Sequence, residues 1–206
     1  MSRQMRICLS GVLGLALLAG PALAGLSIGG KVWYADTENA DDPAFLVGPT
    51  LSIDLTENLW ISGMGLFGTY EFDEGDWEMD QTDAEAVLGY TVSIFDIGVG
   101  GRYTLWQVGP DNDELNIFGP MVYLGIGDTF GESPIGWYAA GSYMFKDFGD
   151  AEDEDVPGYE HWNAEAGLFL AFERFGATVG YRHKEWIEKD YDRTFSGVAA
   201  SVSLKL

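Results

Sequence analysis

Two stretches concentrate the residues with the most chemical capacity. In "TDAEA" (82–86), Asp83 and Glu85 stand two positions apart, so on an extended strand both carboxylates point the same way. Such a pair has the outline of an acid–base couple. In "NAEAGLFLAFERFGATVGYRHK" (163–184), Glu165 and Arg182 flank a tight connector, which brings opposite charges within ion-pair reach on neighbouring strands. The chain has two histidines, His161 and His183. A nucleophilic enzyme would need one of them as base beside an oriented hydroxyl or thiol. Neither lies in a His-x-Ser pattern or beside an Asp-x-His pair, and both fall at segment ends, where surface positions are expected. Asp83 and Glu85 are read as a salt-bridge layer with Arg102. These residues point to ion pairing, not to catalysis.

The elements that must position them follow from periodicity. Ala164, Ala166, Leu168, Leu170 and Phe172 are apolar at every second position, and the pattern resumes in Ala177, Val179 and Tyr181. That period belongs to a strand with one apolar face. Ten such segments are predicted, near 26–35, 46–55, 59–72, 82–93, 97–107, 117–127, 135–146, 163–172, 176–186 and 194–206. Helical spacing is almost absent, and 28 glycines with many Tyr, Val, Ile and Thr suit strands. An even number lets the first and last strands pair antiparallel and close a barrel. Eight is the alternative count, because the third and last segments alternate less cleanly.

The connectors are read as alternating between short and long. The short ones are 56–58, 94–96, 131–134 and 173–175. The long ones are 36–45, 71–81, 109–116, 147–162 and 185–193, and they hold most of the 33 acidic residues. Antiparallel neighbours then put every short turn at one end and every long loop at the other, a pattern of transmembrane β-barrels. The apolar faces agree. Leu26, Ile28 and Val32, then Leu51 and Ile53, then Val198, Val202 and Leu204 share a face that carries no charge, as lipid requires. Aromatic belts are expected at both ends, from Tyr34, Tyr70, Phe72, Tyr103, Phe118 and Phe145 toward the long loops. Trp60, Trp137 and Phe172 would form the belt toward the short turns. The opposite face is then the lumen, with Lys31, Asp54, Asp83, Glu85, Arg102, Lys146, Glu165, Arg182 and Lys205. Glu165 is expected opposite Arg182 or Lys184, and Glu85 diagonal to Arg102.

Residues 1–24 read as a cleaved secretory signal peptide. Arg3 and Arg6 precede an apolar run that ends in the small-residue triplet Ala22-Leu23-Ala24. Cys8, the only cysteine, leaves with it, so the mature chain at 25–206 has no thiol chemistry. The net charge of −22 argues against a nucleic-acid partner. "DAEDEDVPG" lacks the spacing and glycine of an EF-hand. No cofactor is expected beyond diffuse Ca²⁺ or Mg²⁺ at the acidic loops.

The leader, the alternating strands, the connector asymmetry and the closing "SGVAASVSLKL" together resemble the small bacterial outer-membrane β-barrel proteins, the class of the outer-membrane protein A transmembrane domain. The resemblance spans the mature chain and is one of architecture. It implies an all-β, closed, antiparallel up-and-down barrel in the outer membrane of a Gram-negative cell. It also implies contact with membrane lipid and lipopolysaccharide, and passage through the barrel-assembly machinery. In that class the last strand ends in an aromatic residue, where this chain has Leu206. The implied role is structural or interactive, with slow passage of small solutes as a further capacity. A surface hydrolase acting on lipid or peptide is the alternative.

Overall fold

A computed structural model describes residues 25–37, 42–72, 77–108, 113–145, 160–188 and 191–206. They form ten strands: β1 (Gly25–Thr37), β2 (Ala44–Asp54), β3 (Leu59–Phe72), β4 (Trp77–Val92), β5 (Phe95–Val108), β6 (Asp113–Thr129), β7 (Ile135–Met144), β8 (Glu160–Ala171), β9 (Phe175–Glu188) and β10 (Tyr191–Lys205). Each pairs antiparallel with its neighbours in sequence, and β1 closes onto β10 with Lys31 opposite Ser201 and Val32 opposite Ala200. The count is ten, not eight. Closure leaves the sheet without an edge strand.

The strands run further toward the long-connector end than apolar alternation alone marks. β4 begins at Trp77, β9 reaches Glu188 and β10 starts at Tyr191, so two expected long loops, 71–81 and 185–193, are largely strand. The strict short–long alternation of connectors therefore does not hold. Ladder hydrogen bonds need no apolar side chains, and polar cross-strand pairs carry the sheet onward. Thr69 donates to Asp80 at 2.5 Å, and Gln107 donates to Glu114 at 2.8 Å. A strand needs only ~9–11 residues to cross a bilayer, so the 17 residues of β6 extend well past one. At the other end the turns are tight. Ser93, in the two-residue turn between β4 and β5, has φ 59°, and Gly131 has φ 64°.

Side chains sort onto two faces with period two. Outward lie Ile28, Val32, Val99, Leu124, Leu168, Val179, Val198 and Val202, all exposed. Phe95, Phe130, Phe172 and Phe175 are also exposed and ring the short-turn end. Inward lie Trp33, Leu46, Leu66, Trp106, Ile117, Met144, Trp186 and Phe195, all buried. Two belt residues expected on the outside belong to this inner set. Tyr70 is buried with its ring edge-on to Phe195 at 5.6 Å, and Trp60 packs edge-on to Tyr123 at 5.8 Å. Each sits at the even register of β3, the parity of Leu66. An aromatic at a strand end is not a girdle residue unless its parity is outward. The signal-peptide segment, Lys146, the side chain of Phe72 and most of 147–162 lie outside the described residues.

Candidate functional site in the barrel lumen

The inward register brings the charged side chains of β1, β4, β5, β8 and β9 into one layer across the lumen. Glu85 stands directly opposite Arg102, not diagonal to it, and Glu165 stands directly opposite Arg182. Strand register does not by itself decide partnership here. Glu85 Oε1 accepts from Arg102 Nη2 at 2.7 Å and from Arg182 Nη2 at 2.9 Å, the second bond running across the lumen. Glu165 pairs with Lys31 on β1 and accepts from the Tyr138 hydroxyl at 2.7 Å, while Arg182 remains 3.9 Å from it. Asp83 pairs with Lys184 and accepts from Thr104 at 2.5 Å and Gln81 at 2.8 Å, so it does not share Arg102 with Glu85 as expected. A barrel this narrow lets long side chains reach strands that are not neighbours, and a buried carboxylate takes the nearest cation. Gly180 makes room for this. A Cβ there would lie 2.7 Å from the Tyr138 hydroxyl that bonds Glu165.

Above this layer, toward the long-connector end, the lumen is filled by rings and thioethers. Arg182 lies 5.1 Å from the Trp33 ring centroid, and Lys184 lies 5.0 Å from Trp186 and 5.5 Å from Phe195. Trp106 and Trp186 meet edge-on at 5.1 Å, with Arg193 stacked 5.2 Å from Trp106. Cations under aromatic faces are stabilised most where water is excluded. Sequence reasoning missed this aromatic layer, although its signal is present: Trp33 and Trp186 each lie two residues beyond an inward cation, and Trp106 lies four beyond.

Both histidines depart from or refine the expected surface role. His161 is fully buried inside the barrel, stacked on Trp186 at 4.1 Å, with Nε2 3.3 Å from Arg102 Nη1. A guanidinium can only donate, so Nε2 is the acceptor in that contact. His183 faces outward near the long-connector end. Its Nδ1 is 2.6 Å from Ser196 Oγ, and its Nε2 is 3.9 Å from Glu185, which accepts from Trp162 Nε1 at 2.7 Å. This Ser–His contact sits mid-ladder, where β10 pairs with both β9 and β1. The neighbouring backbone N–H groups are committed to the sheet and so do not offer a pair of donors for an oxyanion. Among the described residues, no three His, Cys, Asp or Glu side chains converge as metal ligands.

Below the charged layer the lumen is open. A cavity of about 490 Å³ extends toward the short-turn end, lined by Ser27, Thr50, Ser52, Ser62, Tyr123 and Ser203, with Lys31, Glu85, Glu165 and Arg182 at its closed end. Asp54 and Lys205, 3.7 Å apart and half exposed, pair two residues beyond Ser52 and Ser203 toward the short-turn end. Among the described residues the lumen has the form of a cup, with hydroxyl walls, an ionic floor, and an aromatic layer behind the floor.

No protein-family profile matches the sequence, and no curated protein matches it. Among solved structures, the chain is similar to Neisserial surface protein A, at 13% identity and TM-score 0.40, over 89% of this chain and 99% of that one. It is similar to the translocator domain of the autotransporter NalP from Neisseria meningitidis, at 12% identity and TM-score 0.46, over 98% and 95%. A third similarity is to an outer membrane channel from Pseudomonas putida F1, at 10% identity and TM-score 0.38, over 91% and 98%. The closed barrel stands on its own strand pairing. It is the architecture of the small outer-membrane β-barrels that the sequence resembles.

Proposed function

We propose that this chain is an integral protein of the bacterial outer membrane, with a structural or interactive role and a lumen that is sealed at rest. The observation that carries the location is the wall: ten strands present an apolar, charge-free band outward between aromatic ends. In water such a band would be far larger than the apolar patches of soluble monomers, whereas lipid is its natural solvent. The seal rests on Trp33, Trp106, Trp186, Tyr70 and Phe195 filling the lumen beyond the ion pairs. Passage of small solutes would require that layer to move, so any such flux is slow. The acidic long-connector end faces outward, where diffuse Ca²⁺ or Mg²⁺ would bridge it to lipopolysaccharide. Hydrolysis is disfavoured because the backbone N–H groups beside the Ser196–His183 contact are committed to the sheet. Envelope fractionation tests the location. The protein should co-sediment with outer membrane and migrate faster on gels unheated than boiled; recovery in the soluble fraction would refute it.

A further inference from the structure

We propose that the lumen cup binds a small, uncharged, hydroxyl-rich solute of saccharide size that enters from the short-turn end. This goes beyond the structural reading above and does not depend on the orientation of the barrel in the membrane. Its volume of about 490 Å³ lies inside the ~300–1,000 Å³ range of small-molecule pockets. Three features of the lining select the ligand.

The first is charge. The lining holds two cations, Lys31 and Arg182, and two carboxylates, Glu85 and Glu165. Each carboxylate already has a cation: Glu165 takes Lys31, and Glu85 takes Arg102 and Arg182. An ionic ligand would have to break a pair to find its own partner. A neutral one would not.

The second is a surplus of hydroxyls. Ser27, Ser52 and Ser62 stand side by side across β1, β2 and β3. Thr50 and Ser203 flank Gly29 in the next row. A Cβ on Gly29 would lie 2.7 Å from Thr50 Oγ1 and 3.0 Å from Ser203 Cα, so glycine lets this wall close up. Elsewhere in the lining the hydroxyls are engaged: Thr178 with Ser201 at 2.7 Å, Tyr138 with Glu165, and Ser142 with Arg102 at 2.8 Å. Ser27, Thr50, Ser52, Ser62 and Ser203 make no such bond among the described residues. Hydroxyls both donate and accept, so a contiguous wall of them matches a ligand that does the same.

The third is an aromatic wall. Tyr123 lines the cup on the facing side and is braced edge-on by Trp60, whose Nε1 donates to Thr91 at 3.1 Å. An aromatic ring opposite polar groups suits a ligand with apolar C–H faces and a hydroxylated rim, which is the chemistry of a sugar.

The test is calorimetric titration of maltose into the full barrel, folded in a polyoxyethylene detergent because a maltoside would itself compete. Sodium glutamate and phosphate serve as charged comparators. Maltose should bind with a Kd of about 1 mM or tighter, and both comparators more weakly. Ser62→Phe, which fills the cup, and Tyr123→Ala should each weaken maltose by at least about tenfold while keeping the folded gel mobility. If either variant fails to fold, Ser52→Cys supplies the readout: maltose should slow its modification by a small thiosulfonate reagent. No heat and no protection with maltose, tighter binding of glutamate or phosphate, or undiminished binding in folded Ser62→Phe would each overturn the proposal.

Discussion

Glu85→Gln probes the ionic floor where it is most concentrated. Glu85 Oε1 holds two guanidinium groups, Arg102 at 2.7 Å and Arg182 at 2.9 Å, and only 12% of its side chain is exposed. Glutamine keeps the shape and one acceptor but removes the charge, leaving two buried cations facing a neutral amide. Breaking a buried pair costs ~3–5 kcal/mol, and the substitution weakens two pairs at once, so a loss of that size is expected. Arg182→Ala should cost less, ~1.5–3 kcal/mol, the range for charge-assisted hydrogen bonds. After that change Glu85 still has Arg102 and Glu165 still has Lys31. The double variant should lose less than the sum, because removing Arg182 relieves part of the uncompensated positive charge. The assay is urea unfolding of barrels folded into lipid vesicles, followed by tryptophan fluorescence. A loss below ~1 kcal/mol for Glu85→Gln is what an exposed pair gives, and it would mean that the floor is hydrated.

Leu168 faces outward and is 48% exposed, so Leu168→Arg should cost ~2–4 kcal/mol of folding into vesicles; equal folding of the variant and wild type would contradict the lipid-facing assignment. Ser93→Gly should stabilise the barrel by ~1 kcal/mol in the same urea assay, since Ser93 holds φ 59° in a two-residue turn where glycine is unstrained. Orientation is testable because residues 25–206 contain no cysteine. On intact cells an impermeant maleimide should label Asp42→Cys, at the long-connector end, and spare Glu57→Cys, in the turn after β2; the opposite pattern reverses the barrel.

Alternation made the barrel legible in the sequence. Period two in Leu168, Leu170 and Val179, set against Glu165 and Arg182, assigned the two faces, because a one-residue slip would move every side chain to the wrong one. Strand ends were less legible. Glu185 and Asp80 look like loop residues by composition, yet the ladder continues through them, since above a membrane nothing requires an apolar face. The ion pairs were legible only as a set. Local register places Glu165 opposite Arg182, but the choice of Lys31 for Glu165 depends on the reach of a lysine across the lumen, which no spacing along the chain encodes. His161 was misplaced for a related reason. Its position near a strand end suggested the surface, while its inward parity, shared with Asn163 and Glu165, put it under Trp186.

The central claim is a membrane barrel whose lumen is closed by its own side chains. Single-molecule conductance in a planar lipid bilayer tests it most directly. The wild-type protein should insert without discrete current steps above background, because Trp33, Trp106, Trp186 and Phe195 belong to one buried cluster behind the ionic floor. The Trp106→Ala, Trp186→Ala double variant should introduce steps by opening that layer. Stable unitary conductance from the wild-type protein would contradict the sealed lumen.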